Sequence, residues 1–289
     1  MCKRLSVLLF ALVVAACDSA EFSQNRAAEL GAIDELFSRI DQNAAAIEAA
    51  PAFSVDHSRL GEEEGEVLDA SKVGLYSNPR VNSLILSANI RAGLDLPYRI
   101  QAYYENGKQQ LVYTDPEFLR IRHSLDSAGA LEDFEQDIAA LTTGLDGARP
   151  VQKNGLEADL GIVQLVSDFG FEDSIARLKE TILAEGDTVW FYDVDYQEEA
   201  QAFGIELPRA SLLVFGAPAP GAKAMRPYPS IGLDAFPQKL LVYENNGQVL
   251  AIYNEIPAMA ELHYNDTGIP HYVIAYRLKD TLSDAISVE

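Results

Sequence analysis

The sequence has few cysteines and few basic residues, and after residue 16 it has no long apolar run. It contains two cysteines, Cys2 and Cys17, and 22 Lys plus Arg against 44 Asp plus Glu. The formal net charge of −22 excludes nucleic acid as a default partner, because nothing offsets the repulsion from a polyanion. We expect neither a disulfide framework nor a thiol redox centre. No later segment approaches the roughly 20 apolar residues that a membrane span needs.

Motifs for metals, phosphates and nucleophiles are also scarce. The four histidines form no H-x-H or H-E-x-x-H pattern, so we predict no metal site and no cofactor. Residues 62–66 lack the alternating oxygen ligands of a calcium loop. Residues 216–223 miss the phosphate-loop pattern, because Pro218 and Pro220 have no amide N–H to donate. Without a G-x-S-x-G or S-x-x-K sequence, no local motif supports covalent catalysis.

The N-terminus has the pattern of a bacterial lipoprotein leader. A basic start precedes an apolar run of 12 residues, 5–16, which suits a secretory signal peptide and is too short to span a bilayer. The run leads through Val-Ala-Ala into Cys17, a sequence that resembles a lipobox. We therefore predict that residues 1–16 are a signal peptide, that Cys17 is lipidated (palmitate included) and that residues 17–26 are a tether.

The predicted location is the periplasmic face of the inner membrane. Asp18 follows the lipidated cysteine, and in lipoproteins that this leader resembles, Asp at that position implies retention at the inner membrane. The lipid is expected to be the main attachment, because the acidic body is repelled by anionic headgroups.

The rest of the chain contains one pattern twice. Gly-Leu-Asp-Leu-Pro at residues 93–97 returns 139 residues later as Gly-Leu-Asp-Ala-Phe-Pro at residues 232–237. Matches spread over some 70 residues at a nearly constant offset indicate a tandem duplication, whose two copies we expect to pair within the chain. The other matches are Tyr104-Glu105-Asn106 with Tyr243-Glu244-Asn245, then (with one residue added in the turn) Tyr113 with Tyr253 and His123 with His263, and upstream Asp56-His57 with Asp195-Tyr196 and Asn78-Pro79 with Ala217-Pro218.

Hydrophobic periodicity predicts the same elements in both copies. Apolar residues every three or four positions predict an amphipathic helix over residues 30–47 and another over residues 171–182. The last two strands of each copy are joined by an Asn-Gly turn, and a closing helix begins near Pro116 or Pro257. The predicted strands are 52–55, 72–76, 99–104 and 109–113 in the first copy, and 161–166, 188–194, 211–215, 239–243 and 249–253 in the second.

The first copy lacks a counterpart of the strand at residues 161–166, because residues 17–26 are polar. Residues 271–278 alternate like a strand and precede a helix-like stretch, so we expect this tail to supply the missing strand. The predicted organisation is a first repeat at 27–143, a linker at 144–158, a second repeat at 159–265, and a C-terminal strand and helix at 266–289 that complete the first repeat.

Each repeat contains a set of short motifs in the same order. In the first repeat they are Asp56-His57, Asn78-Pro79, residues 93–97, Tyr113, Asp115-Pro116 and His123. In the second repeat they are Asp195, Phe215-Gly216, Pro218, Gly232-Leu233-Asp234, Pro237, Tyr253-Asn254 and His263. This pattern resembles the bacterial domain of unknown function 302 family. The resemblance implies an α+β fold of two β-α-β-β-β-β-α units, comparable to the TATA-binding-protein-like folds, with antiparallel sheets and helices on one face. It implies no activity.

Departures from the family pattern fall in the second repeat. Tyr196 stands where His is expected and Ala217 where Asn is expected, an aromatic is added before Pro237, and Glu255-Ile256 replaces Asp-Pro. If each unit carries one polar site, we therefore expect the second repeat to carry the more eroded version.

Polar residues at matching places are the candidate ligand-binding residues. A His beside carboxylates suits a base or a metal ligand. The same residue types also serve as turn and helix caps, as dipole partners near a helix end, or as buried rings, and the sequence leaves these alternatives open. The candidates are Asp56, His57, Asn78, Asp95, Tyr113, His123, Asp195, Asp234, Tyr253 and His263.

The leading functional prediction is binding, either of a small ligand in a groove between the repeats or of a protein partner in the envelope. The alternative is a metal-dependent or acid/base enzyme that uses the Asp/His/Tyr set of the first repeat. That alternative requires Asp56, His57 and His123 to converge with Asp95 or Tyr113 in a cleft. No catalytic residue is assigned from the sequence.

Overall fold

The computed structural model describes residues 5–126 and 128–288, without the side chains of residues 5–23 and 128. The first four residues of the predicted signal peptide and the side chain of Cys17 therefore lie outside the described residues. Within the described part, no helix is both long enough and apolar enough to cross a membrane.

The described residues form two five-stranded sheets, one in each repeat. Neighbouring strands are antiparallel, apart from the last pair of the first sheet. The strands are β1 (Ala50–Asp56), β2 (Ser71–Ser77), β3 (Tyr98–Glu105), β4 (Lys108–Tyr113) and β5 (Ala148–Pro150), then β6 (Ile162–Ser167), β7 (Val189–Asp195), β8 (Ala210–Gly216), β9 (Gln238–Asn245) and β10 (Gln248–Asn254).

The strand orders are β1-β2-β3-β4-β5 and β7-β8-β9-β10-β6, so the first four strands of each sheet have the same order. The fifth strand differs, because β5 follows the other four in the chain and is parallel to its neighbour, whereas β6 precedes them and is antiparallel. The predicted α+β class with two repeats is confirmed, and short helices follow several strands. The helices are α1 (Leu5–Ala44), α2 (His57–Glu63), α3 (Pro79–Ala88), α4 (Pro116–Arg122), α5 (Ala128–Leu141), α6 (Phe171–Ala184), α7 (Tyr196–Gln201), α8 (Pro218–Met225), α9 (Ile256–Tyr264) and α10 (Ile269–Ile286).

Both faces of each sheet are covered. In the first repeat α1 packs on β2 and β3 beside α5, and in the second α6 packs on β9 beside α10. Because side chains alternate along a strand, Leu240 and Val242 face α6 and α10, whereas Leu241 and Tyr243 face the first repeat in a shared core. The two repeats therefore pack against each other through the sheet faces that carry no long helix.

The extra residue of the second repeat lies before Pro237 and not in the hairpin turn. Pairing places Tyr113 opposite Ile100 and Tyr253 opposite Leu240, so both strands of the hairpin follow an offset of 140. The turns keep equal length because each has an Asn-Gly pair with positive φ.

This register changes which residues are equivalent. The sequence alignment at constant offset matched Tyr243 with Tyr104. The strand registers instead match Tyr243 with Tyr103. In the same register Arg99 of β3 corresponds to Lys239 of β9. Both strands thus carry a cation one residue after their start.

The C-terminal tail does not complete the first sheet, contrary to the sequence prediction. Residues 271–278 belong to α10, which buries Leu278 and Leu282 against α6. The apparent alternation coexists with apolar residues three or four apart, and the helix buries that stripe. The fifth strand of the first sheet is β5, which lies inside the predicted linker and runs parallel to β4.

Candidate functional site

A buried ionic network lies where the two Gly-Leu-Asp loops meet. Each loop follows a 3-10 turn, and the two loops present Asp95 and Asp234 to the same guanidinium. Arg99 Nη2 lies 3.1 Å from Asp95 Oδ1, and its Nη1 lies 2.6 Å from Asp234 Oδ1, with all three side chains fully buried. One arginine of the first repeat therefore links the carboxylates of both repeats.

Each of these carboxylates also contacts a histidine from the closing helix of its own repeat. His123 Nε2 lies 2.7 Å from Asp95 Oδ2, and His263 Nε2 lies 2.7 Å from Asp234 Oδ2. Arg122 adds a bond from its Nη1 to Asp95 Oδ2 (2.7 Å). Sequence positions about 30 residues apart are brought together because α4 and α9 fold back over the loops.

The cations keep both carboxylates ionised. Burial raises the pKa of each, but Arg122 and Arg99 outweigh burial at Asp95 and hold its pKa well below the usual range. At Asp234 the Arg99 charge and the bond from His263 outweigh burial and lower the pKa to about 2. At Lys239 burial, helped by Arg99, lowers the pKa to about 7.

Of the ten candidate residues, only the two aspartates and two histidines of this network converge. Asp56 and Asp195 are helix caps, since each accepts the backbone N–H three residues later. Asn78 caps α3 and donates to Asp137 Oδ2 at 2.8 Å. Tyr113 is half-buried on the wall of a surface cleft, and Tyr253 is buried in the second core, where burial raises its pKa to about 12.

The residue after each helix-capping aspartate, His57 in the first repeat and Tyr196 in the second, lies near the Gly-Leu-Asp loop of the other repeat. Tyr196 donates to the backbone oxygens of Gly93 (3.0 Å) and Leu96 (3.1 Å). His57, its counterpart, is buried near the Gly232 backbone, although its Nε2 makes no hydrogen bond among the described residues. Tyr196, which stands where the family pattern has His, therefore still contacts the loop of the opposite repeat.

Acid is expected to lower the free energy of unfolding through His57. Burial lowers its pKa from 6.5 to about 4, although the Asp56 charge and the nearby Gly232 backbone oppose this. Between these pH values the unfolded chain binds more protons, so stability falls as pH falls from 6.5 towards 4. Urea denaturation should show a loss of about 2 kcal/mol between about pH 7.5 and about pH 5, which His57→Phe removes. An identical pH dependence in the variant contradicts this assignment.

The second repeat extends the network to a hydroxyl. His263 Nδ1 lies 2.7 Å from Ser230 Oγ, so Asp234, His263 and Ser230 form a continuous chain. Ser230 is 8% exposed. The chain ends at a cavity of about 120 Å³ between the repeats. The cavity is lined by Tyr103, Glu105, Val112, Arg149, Val151 and Gln152 of the first half and by Ser230, His263 and Tyr264 of the second.

The equivalent position in the first repeat is occupied by an arginine. Arg91 lies 139 residues before Ser230 and donates to Gln164 (2.7 Å), Asp159 (2.9 Å) and Tyr243 (3.2 Å). Among the residues that the structure describes, none hydrogen-bonds to His123 Nδ1, which is buried there. The hydroxyl-bearing chain is therefore in the second repeat, which the sequence led us to regard as the more eroded one.

Sequence reasoning missed Ser230, Arg99 and Arg122. Arg99 could have been found from the sequence, because a cation stands at the equivalent strand position of each repeat: Arg99 in the first and Lys239 in the second. Ser230 left none, since its partner His263 is 33 residues away and no motif connects them.

A family model described as "Domain of unknown function DUF302" matches residues 26–142 and 163–287. The chain belongs to this family. The two matched segments confirm the tandem duplication, and the second includes α10, which agrees with its place in the second repeat. A solved structure of an uncharacterized conserved DUF302 protein from Bacillus stearothermophilus is 21% identical, with a TM-score of 0.37, and covers 44% of this chain and 96% of its own.

Curated proteins with local similarity carry another description. The "Fluoride-specific ion channel FluC 1" of Brucella suis biovar 1 (strain 1330) is 34% identical over 91 residues, which is 31% of this chain and 34% of that protein. "FluC 2" of Brucella melitensis biotype 1 is 34% identical over 91 residues, 32% of its length. The chain spans about a third of the length of these relatives. The DUF302 family description assigns no activity.

Proposed function

We propose that the protein is a lipid-anchored envelope protein that binds a small polar ligand between its two repeats. The observation that carries this proposal is the 120 Å³ cavity whose walls come from both repeats. A cavity of about this size holds a molecule comparable to a benzene ring. Its position explains why a tandem chain, rather than a single unit, would form the site.

The cavity offers charges of both signs and hydrogen-bonding groups. Arg149 and Glu105 line the wall contributed by the first half of the chain. The Tyr264 hydroxyl is already engaged, since it accepts from the Ser230 amide (2.9 Å) and donates to Glu105 (3.0 Å). Arg149 is the group best placed to meet an anion, whereas Ser230 Oγ, whose proton is donated to His263 Nδ1, can accept from a ligand ammonium group. A zwitterion of the size of a small amino acid fits this combination.

Calorimetric titration with glycine, L-alanine, D-alanine and L-serine tests the binding proposal. We expect at least one of them to bind the soluble Cys17→Ser protein and to lose about tenfold or more in affinity in Ser230→Leu, which fills the cavity. Arg91→Leu, at the equivalent position of the first repeat, is the matched control and should bind normally. No binding to the starting protein, or equal binding in Ser230→Leu, contradicts the proposal.

The membrane attachment is proposed from the leader alone. We expect the full-length chain to incorporate labelled palmitate in a bacterial host and to partition into the detergent phase. Cys17→Ser should abolish both, whereas Cys2→Ser, within the predicted signal peptide, should leave both unchanged. Palmitate labelling that survives in Cys17→Ser contradicts the assignment. Fractionation of the labelled chain then tests the proposed inner-membrane location.

Ester hydrolysis is a second candidate function, favoured by the chain of contacts at Ser230. Ionised Asp234 accepts the Nε2 proton of His263, which leaves Nδ1 as the acceptor for the Ser230 O–H. The imidazole can then take that proton while Ser230 Oγ attacks the carbonyl carbon of an ester, and return it to the alcohol that leaves as the ester C–O bond breaks. Water, deprotonated by the same imidazole, then hydrolyses the acyl-serine and restores the Ser230 hydroxyl. The first repeat lacks this arrangement, because its equivalent residue is Arg91. The enzyme hypothesis therefore concerns Asp234, His263 and Ser230 of the second repeat, and not the residues of the first repeat.

A further inference from the structure

The second repeat contains an apolar cavity of about 130 Å³ on the helix side of its sheet. The cavity lies between α6, α8 and α10, away from the shared face that carries Ser230. The principal lining residues are Ile182, Phe215, Ala217, Phe236, Val273 and Leu278.

In the first repeat larger side chains occupy the equivalent positions. Asn78 and Tyr98 both donate to Asp137 Oδ2, at 2.8 and 2.6 Å, and the Tyr98 ring packs on Phe134 with centroids 4.5 Å apart. The offsets established from the strand registers make Ala217 the counterpart of Asn78.

Gln238 is the counterpart of Tyr98 in that register. Both replacements shorten the side chain or remove its ring. The smaller side chains of Ala217 and Gln238 therefore leave the space that Asn78 and Tyr98 fill in the first repeat.

A buried donor in this cavity lacks a partner. Gln238 is 6% exposed, lines the cavity, and its Nε2 makes no hydrogen bond among the described residues. Buried polar groups are almost always paired. An unpaired amide N–H beside an apolar cavity offers a hydrogen bond to an oxygen atom of a bound molecule.

The charges at the rim disfavour an anionic ligand. Arg277, the cation beside the cavity, donates to Glu185 (2.8 Å) and Asp187 (2.7 Å). Glu185 also accepts from Thr281 at 2.6 Å. Because two carboxylates already neutralise this arginine, a carboxylate or phosphate on the ligand would meet net negative charge.

We propose that this cavity binds a neutral apolar molecule about the size of a benzene ring, bearing one carbonyl oxygen that accepts from Gln238 Nε2. The size follows from the volume, since a cavity of about 150 Å³ lined by aliphatic and aromatic residues accepts benzene. The site is separate from the Ser230 cavity, so either one can fail without the other.

Fluorine NMR titration with 4-fluoroacetophenone tests the site, beside 4-fluorotoluene as the ring without the carbonyl. We expect the ketone to bind the Cys17→Ser protein more tightly than the toluene. Gln238→Leu should weaken ketone binding about three- to tenfold and leave toluene binding unchanged. Ala217→Phe, which fills the cavity, should abolish both, whereas Ser230→Leu should affect neither.

Several outcomes overturn the proposal. These are no ketone binding to the starting protein, ketone affinity unchanged in Gln238→Leu, and binding that persists in a folded Ala217→Phe. If Ala217→Phe does not fold by circular dichroism, Gln238→Leu decides the matter alone, because Leu is similar in size to Gln and lacks the amide group.

Discussion

Arg99→Met is expected to destabilise the protein by about 3–5 kcal/mol, the largest loss that we anticipate from a single substitution. The side chain is fully buried between Asp95 and Asp234, which belong to different repeats. Removing it leaves two fully buried carboxylates close together, and Arg122 and the two histidines offset only part of their repulsion and desolvation. The free energy of unfolding from urea denaturation, followed by far-ultraviolet circular dichroism, measures the loss.

A more exposed arginine that also pairs with two aspartates provides the matched control. Arg59 also ion-pairs with two aspartates, Asp34 and Asp56, but its side chain is 43% exposed. Because water screens such pairs, Arg59→Met should cost no more than about 1 kcal/mol. Equal effects of the two substitutions would mean that the buried network does not stabilise the contact between the repeats.

A rescue experiment separates charge from packing. In the Arg99→Met background, replacing Asp95 and Asp234 by Asn should recover part of the loss, because neutral amides are less costly to bury than unpaired carboxylates. Further destabilisation by the two amides would instead assign the effect to lost shape complementarity.

The sequence was sufficient to predict nine of the ten strands, but not all of the helices or the fifth strand of the first sheet. Alternation and the Asn-Gly turns placed β3, β4, β9 and β10 within one or two residues, because both features are local. The tail was misassigned, since strand-like alternation and helical spacing overlap over residues 271–278 and only packing on α6 decides between them. The parallel strand β5 is three residues long and too short to produce a periodic signal.

The candidate site was predictable only in its aspartates and histidines. Those residues recur in both repeats, so the duplication itself points to them. Arg99 sits in a strand where a cation would ordinarily face water, and only the second repeat, packed on that face, buries it. The contact between Ser230 and His263 depends on how α9 folds back over its loop, which no short-range pattern encodes.

Ser230→Ala is expected to abolish covalent modification by diisopropyl fluorophosphate if the second repeat hydrolyses esters. The Oγ atom bonds to His263 Nδ1 at 2.7 Å, and Asp234 fixes the opposite nitrogen. A serine activated in this way reacts with phosphorylating reagents, whereas an ordinary buried serine does not. Intact-mass spectrometry should show one adduct on the starting protein and a rate lower by roughly 10³-fold or more in Ser230→Ala.

Two further variants make this result specific to the contact chain. His263→Gln retains a polar side chain but lacks the base, so it should lose the adduct to a similar extent. Ser83→Ala is the control, because the Ser83 hydroxyl is buried and donates to the Pro79 carbonyl (2.6 Å) rather than to a histidine. An adduct that forms equally in Ser230→Ala, or no adduct on the starting protein, eliminates the hydrolytic function. Asp234 and His263 would then position the Ser230 hydroxyl for ligand binding only, and the titration of the cavity would decide the function.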